Sequence, residues 1–169
     1  MGGAFVTKGL AAVLELYLRT PRLLRLLAPV LVMYALWRLS AQQSIPLGPV
    51  QLSEFAHNSM HIFAYGGLGA AWFLALSDRA ERKLAASRSK ARIAVLLAVV
   101  YGIVDEVHQS YVPERTASAG DVLSDFSGAT LAVLVLLSVG DRDRTALRIL
   151  PWWLVVCVGS VAFATYGPC

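Results

Sequence analysis

Residues 104–128 read VDEVHQSYVPERTASAGDVLSDFSG and place five carboxylates, a histidine and an arginine in one short stretch. The chain around them is 57% hydrophobic and only 15% charged. An ionisable group in a lipid-facing chain must be solvated, paired or in use. Upstream, His57, His61 and Tyr65 recur every fourth residue and so share one helix face. Asp105, His108 and Gln109 share another, at i, i+3 and i+4, and Asp121, Asp125 and Gly128 a third, at i, i+4 and i+7. Glu106 points about 100° away from the Asp105 face. Glu114 reads as a solvated loop residue.

Imidazoles grouped with carboxylates can bind a divalent metal. Carboxylates one turn apart suit Mg²⁺ bridged to a phosphate, while histidine donors suit Zn²⁺. On this reading Asp121, Asp125 and His57 are metal donors. His61, Asp105 and His108 carry acid–base or ligating work. Arg115, behind Pro113, offers a planar fork for a phosphate or carboxylate, with Gln109 and Tyr65 beside it as substrate-binding residues. Such a set can serve a membrane-embedded hydrolase or transferase. The structural alternatives are plain: a His–Asp pair can tie helices together, and Asp121 can cap the helix that begins after the Ala-Gly break.

What positions these residues is a series of apolar runs. Mean hydropathy is +0.60 over 169 residues, and five segments have the character of spans: about Leu23–Leu39, Met60–Leu76, Ile93–Val107, Val122–Val139 and Ile149–Ala164. The expectation is an all-α integral membrane protein, a bundle of about five transmembrane helices (residues 23–169) preceded by an amphipathic segment over 1–22. Gly9–Leu18 carries Glu15 and leads into Arg19, Arg22 and Arg25 instead of a cleavage site. It reads as lying on the inner surface with Lys8 and the arginines toward anionic lipid. Pro46, Gly48 and Pro49 break the chain after the first span. Gly66, Gly67, Gly69 and Gly128 let helices approach closely. Cys157 and Cys169 fit neither a disulfide nor a metal motif.

Alternating spans place thirteen of the fifteen basic residues on one side, including the run Arg79, Arg82, Lys83 and the terminal Arg142. Only Arg38 and Arg115 fall on the other. The positive-inside rule assigns the basic side to the cytoplasm, so the polar cluster is expected on the extracytoplasmic side of the membrane, with the N-terminus inside. The formal charge of +4 is thus spent on topology and implies no nucleic-acid partner. Around the 78–92 loop, depth pairs His61 with Gln109 and Tyr65 with Asp105. The next hairpin pairs Gln109 with Asp121 and Asp105 with Asp125.

The stretch DEVHQSYVPERTASAGDVLSDFSGA resembles the signature of the VanZ-like family: Asp-Glu-x-His-Gln, then Pro-Gly-Arg, then an Asp four before an Asn, then Gly. Asp105, Glu106, His108, Gln109, Pro113, Arg115, Asp121 and Gly128 match by position, and His61, Phe63 and Tyr65 match the upstream part. Glu114 stands for the glycine, Asp125 for the asparagine, and His57 with Asn58 for an Asp-Lys pair, which favours a histidine-rich site. The resemblance implies an envelope-facing membrane protein linked to teicoplanin resistance. Together with the residues, it leads to binding or modification of a lipid-linked or phosphate-bearing envelope component. The rival readings are a non-catalytic membrane partner of an envelope enzyme and a small-solute or proton-coupled transporter. A carrier buries charge at broken helices between inverted repeats, and the sequence has no internal repeat.

Overall fold

The computed structural model describes residues 13, 15–42, 53–77, 88–113, 115, 117–141 and 144–167. Lys8, the Pro46–Pro49 break, the 79–83 basic run, Glu114, Arg142 and Cys169 lie outside them, as does most of the 1–22 segment. Within that segment residues 15–19 are helical, and Glu15 lies 3.8 Å from Arg19.

Among the described residues six helices follow: α1 (Arg22–Arg25), α2 (Leu27–Ser40), α3 (Glu54–Leu76), α4 (Arg88–Gln109), α5 (Ala119–Asp141) and α6 (Arg144–Tyr166). No strand occurs among the described residues. Each expected span is present as helix, with ends extended by a few residues. Four helical stretches, Arg22–Ser40, Glu54–Leu76, Ala119–Val139 and Arg144–Tyr166, are long and apolar enough to cross a membrane. The remaining helix, α4, has the length at 22 residues, about 33 Å at the α-helical rise. It falls short in mean apolarity because charges stand at both of its ends.

Local signals set the ends. Ser53 caps α3, its hydroxyl accepting from the Ala56 N–H at 3.3 Å. Ser118, not Asp121, caps α5: its hydroxyl accepts from Gly120 at 3.1 Å and from Asp121 at 3.4 Å. Asp121 thus sits inside the first turn, its side chain left available. Pro29 stands in the first turn of α2, where its missing N–H disturbs nothing.

The bundle centres on α3 and α5. A Cβ at Gly128 would collide with the Ile62 backbone, and one at Gly69 would lie 2.9 Å from Ala129. These contacts are the close approach expected of the glycines. Gly67 differs, having nothing within 4 Å of its Cβ position; it faces outward and packs nothing. Helix α4 lies against this pair through a small-residue stripe at Ala91, Ala94, Ala98 and Gly102, all buried. Its Tyr101 hydroxyl donates to the Met33 carbonyl of α2 at 2.6 Å. Helix α6 closes the other side, with Trp153 Nε1 donating to the Ser127 carbonyl at 2.9 Å. Large side chains such as Leu31, Phe63, Leu96 and Trp152 point outward, as a lipid-facing surface requires.

The basic residues sort by end. Arg22, Arg25, Arg88, Arg92, Arg144 and Arg148 lie at the starts of helices that share one end of the bundle, while Arg115 lies at the other. Arg25 does not face lipid headgroups as expected. It is buried, and its Nη1 donates to the Leu74 and Ser77 carbonyls at 3.1 and 2.5 Å. A guanidinium there satisfies the orphan carbonyls ending α3 and complements its dipole.

Replacing Gly128 by valine should force α3 and α5 apart and destabilise the bundle by roughly 1–3 kcal/mol, the usual range for overpacking. Gly67→Ala should be near neutral. Thermal unfolding of the two variants in detergent checks the contrast.

Candidate functional site

Three helices deliver polar side chains to the end of the bundle opposite Arg25. From α5, Asp125 is fully buried and accepts from His61 Nδ1 of α3 at 2.9 Å. Room for that carboxylate comes from Gly102 of α4, where a Cβ would lie 2.5 Å from Asp125 Oδ2. Tyr65, one turn below His61 with its ring parallel to the imidazole, donates to Asp105 Oδ2 at 3.3 Å. The pairing of these two by depth therefore holds. Gln109 Nε2 donates to the same oxygen at 3.2 Å and to Glu106 Oε1 at 3.4 Å.

Glu106 is the residue sequence reasoning undervalued. It is buried with its face of α4, and its Oε2 accepts from the Ser118 N–H at 2.8 Å. That bond ties the end of α4 to the start of α5. Glu106 continues the stripe one turn beyond Gly102, and this i+4 relation to a glycine in a small-residue face was the signal available. His61, Glu106 and Asp121 form a group whose candidate ligand atoms all lie within 4.8 Å of one another. Among the expected metal donors, Asp121 belongs to this group. Asp125 reaches it only through His61, and His57 turns instead to Arg115.

His108 stands apart. Its ring stacks on Trp37 of α2, centroids 3.7 Å apart and planes at 20°, and its Nδ1 lies 3.4 Å from Ser40 Oγ. The structure brings His57, His61, Tyr65, Asp105, Gln109, Arg115, Asp121 and Asp125 into one layer with Glu106, and leaves His108 at the α2 contact.

Arg115, in the α4–α5 connection, is docked on the chain just past α2. Its Nε and Nη2 donate to the Gln42 carbonyl at 3.3 and 3.0 Å. Among the described residues its Nη1 makes only long contacts, 3.4 Å to His57 Nε2 and 3.5 Å to Gln109 Oε1. It pairs with no carboxylate among the described residues. Beside it opens a cavity of about 440 Å³ between α2 and α3. Leu36, Leu39, Met60 and Phe63 make its apolar wall, and Ser40, His57, His61, Asp105, Gln109 and Arg115 its polar one. Three buried carboxylate oxygens of the layer, Asp105 Oδ1, Asp121 Oδ1 and Asp125 Oδ2, have no hydrogen-bond partner among the described residues.

Long apolar helices with their buried carboxylates gathered at one end define a polytopic helical membrane protein with a terminal polar site. Residues 11–140 match the VanZ/LLP1 family, and the chain belongs to that family. No curated protein and no solved structure matches it.

Breaking a buried pair leaves its partner uncompensated, so Asp125→Ala should cost about 3–5 kcal/mol of stability. Asp125→Asn, which keeps an acceptor for His61, should cost less. A double-mutant cycle with His61→Ala, read by unfolding in detergent, should return a coupling of about 0.5–3 kcal/mol, as for groups in direct contact.

Proposed function

We propose that the protein binds a phosphate-bearing, lipid-linked component of the bacterial cell envelope in the cavity beside Arg115, on the outer face of the plasma membrane. The observation that carries this reading is Arg115 itself. Its guanidinium is held in plane by the Gln42 carbonyl and meets only neutral acceptors among the described residues, so its charge is free to meet an anion. A guanidinium fork suits phosphate, and the two unlike walls of the cavity suit a molecule with a charged head and an apolar chain.

The outward orientation is supported by the sorting of the basic residues to the opposite end, which the positive-inside rule assigns to the cytoplasm. Hydrolysis or group transfer on the bound ligand lies within reach of His61, whose Nδ1 is held by Asp125 and whose ring lines the cavity. A link to sensitivity to the glycopeptide teicoplanin is supported by membership of the VanZ/LLP1 family together with the signature-like stretch from Asp105 to Gly128. A second reading, a non-catalytic partner of an envelope enzyme, is favoured by the ties themselves. Tyr65–Asp105 and His61–Asp125 join α3 to α4 and α5.

Native mass spectrometry of the detergent-solubilised protein with a polyprenyl phosphate separates the two. Wild type should retain the adduct, and Arg115→Ala should weaken it about tenfold or more, as expected for loss of a hydrogen bond to a charged group. The same substitution should abolish any teicoplanin-resistance phenotype at unchanged protein abundance. Equal adduct in wild type and variant sinks the phosphate reading and leaves the partner reading standing.

A further inference from the structure

Negative groups dominate the polar layer. Asp105, Glu106, Asp121 and Asp125 gather there against Arg115, His57 and His61, and Arg115 pairs with none of the four. Packing carboxylates together out of water is costly unless a cation shares the site. We infer that the layer holds one divalent first-row transition ion, of Mn²⁺ or Zn²⁺ chemistry, ligated by His61, Glu106 and Asp121.

The first support is convergence. The three residues come from α3, α4 and α5, and their candidate ligand atoms lie within 4.8 Å of one another. No hydrogen bond joins the three directly among the described residues. Donors about 2.0–2.2 Å from a shared ion stand ~3–3.5 Å apart, so rotamer adjustments of about an ångström close the set.

Two of the three donors are also held by groups outside the cluster. Asp125, fully buried, faces His61 Nδ1 at 2.9 Å. A carboxylate acceptor requires the proton on Nδ1, which in the neutral imidazole leaves the lone pair on Nε2. A metal-ligating histidine is nearly always oriented this way, by a carboxylate or carbonyl on its other nitrogen. Glu106 is oriented in the same manner, by the Ser118 N–H at 2.8 Å and the Gln109 amide at 3.4 Å. Asp121 Oδ1 is buried with no hydrogen-bond partner among the described residues, a state that a bound cation would relieve.

The donor set narrows the ion. Carboxylates suit Mg²⁺ and Mn²⁺, and imidazole suits Zn²⁺ and its neighbours; one nitrogen with two oxygens falls where Mn²⁺ and Zn²⁺ overlap. His61 also lines the cavity that Arg115 lines. On the function proposed above, this sets one of the three donors beside the bound phosphate.

The test uses the 169-residue chain in detergent, stripped with chelator and titrated with MnCl₂ and ZnCl₂ in the absence of lipid. Elemental analysis should find one ion per chain. The Mn²⁺ form should show nitrogen coupling in pulsed EPR, from His61. Glu106→Gln and Asp121→Asn should each weaken binding at least about tenfold. Asp125→Asn, a positioning change, should weaken it by about 10–100-fold, the usual loss for an orienting partner. Glu54→Gln, exposed at the start of α3, should bind as wild type does. Absence of a stoichiometric ion from wild type, Mn²⁺ without nitrogen coupling, or unchanged affinity in both Glu106→Gln and Asp121→Asn overturns the inference. Wild type alone supplies the first two readouts, so a variant that fails to fold does not blunt the test. Metal binding with no polyprenyl-phosphate adduct strikes the phosphate reading only; an adduct with no metal strikes this inference only.

Discussion

The carboxylate of Asp125 lies fully buried in the second turn of α5, and much of the bundle is arranged to make that burial tolerable. An unpaired ion at such a position costs several kcal/mol. His61 meets one oxygen at 2.9 Å, and Gly102 withholds a side chain where the other projects. Gly128, one turn further along α5, lets α3 come close enough for His61 to reach across. The same demand fixes register. Sliding α3 by one helical turn, about 5.4 Å, would unpair both His61 from Asp125 and Tyr65 from Asp105. Packing and polar contacts therefore specify a single arrangement of three helices.

Much of this was legible in the sequence, because depth along a helix follows directly from residue number. Counting back through the α3–α4 hairpin was enough to set Tyr65 opposite Asp105, and apolar run lengths were enough to find every described long helix. Rotation about the helix axis was harder to read. Glu106 and His108 lie two residues apart, yet one is buried in the polar layer and the other stacks on Trp37. Which side of α4 meets α5 and which meets α2 depends on tertiary neighbours that spacing alone does not name. The same gap explains Gly67, which shares the glycine run but faces outward, and Arg25, which looks like one more interfacial cation until Leu74 and Ser77 are seen beside it.

Helix α4 shows how an average over residues hides two unlike faces. It exposes Ile93, Leu96, Val100, Ile103 and Val107 on its outer side. Its inner side runs from alanines through Gly102 to Asp105, Glu106 and Gln109. The mean of these two faces is only weakly apolar, although the outer one is as greasy as lipid contact demands. Polar residues are tolerated there because neighbouring helices, and not lipid, supply their partners.

The two arginines at opposite ends of the bundle use one device to different effect. Each docks on carbonyl groups at or just past a helix C-terminus, Arg25 on Leu74 and Ser77 and Arg115 on Gln42, where the helix dipole favours a cation. Arg25 is sealed by packing, so its role ends with holding α3. Arg115 is anchored along one edge, while the edge toward His57 and Gln109 makes contacts of 3.4 and 3.5 Å, too long to be strong. An anion arriving from the cavity would displace weak contacts only and meet a guanidinium already held in place. Little ordering cost would remain at the moment of binding, which is how preorganisation raises affinity. A purely structural arginine has no need of an open edge, and this difference between two otherwise similar caps is what sets Arg115 apart from Arg25.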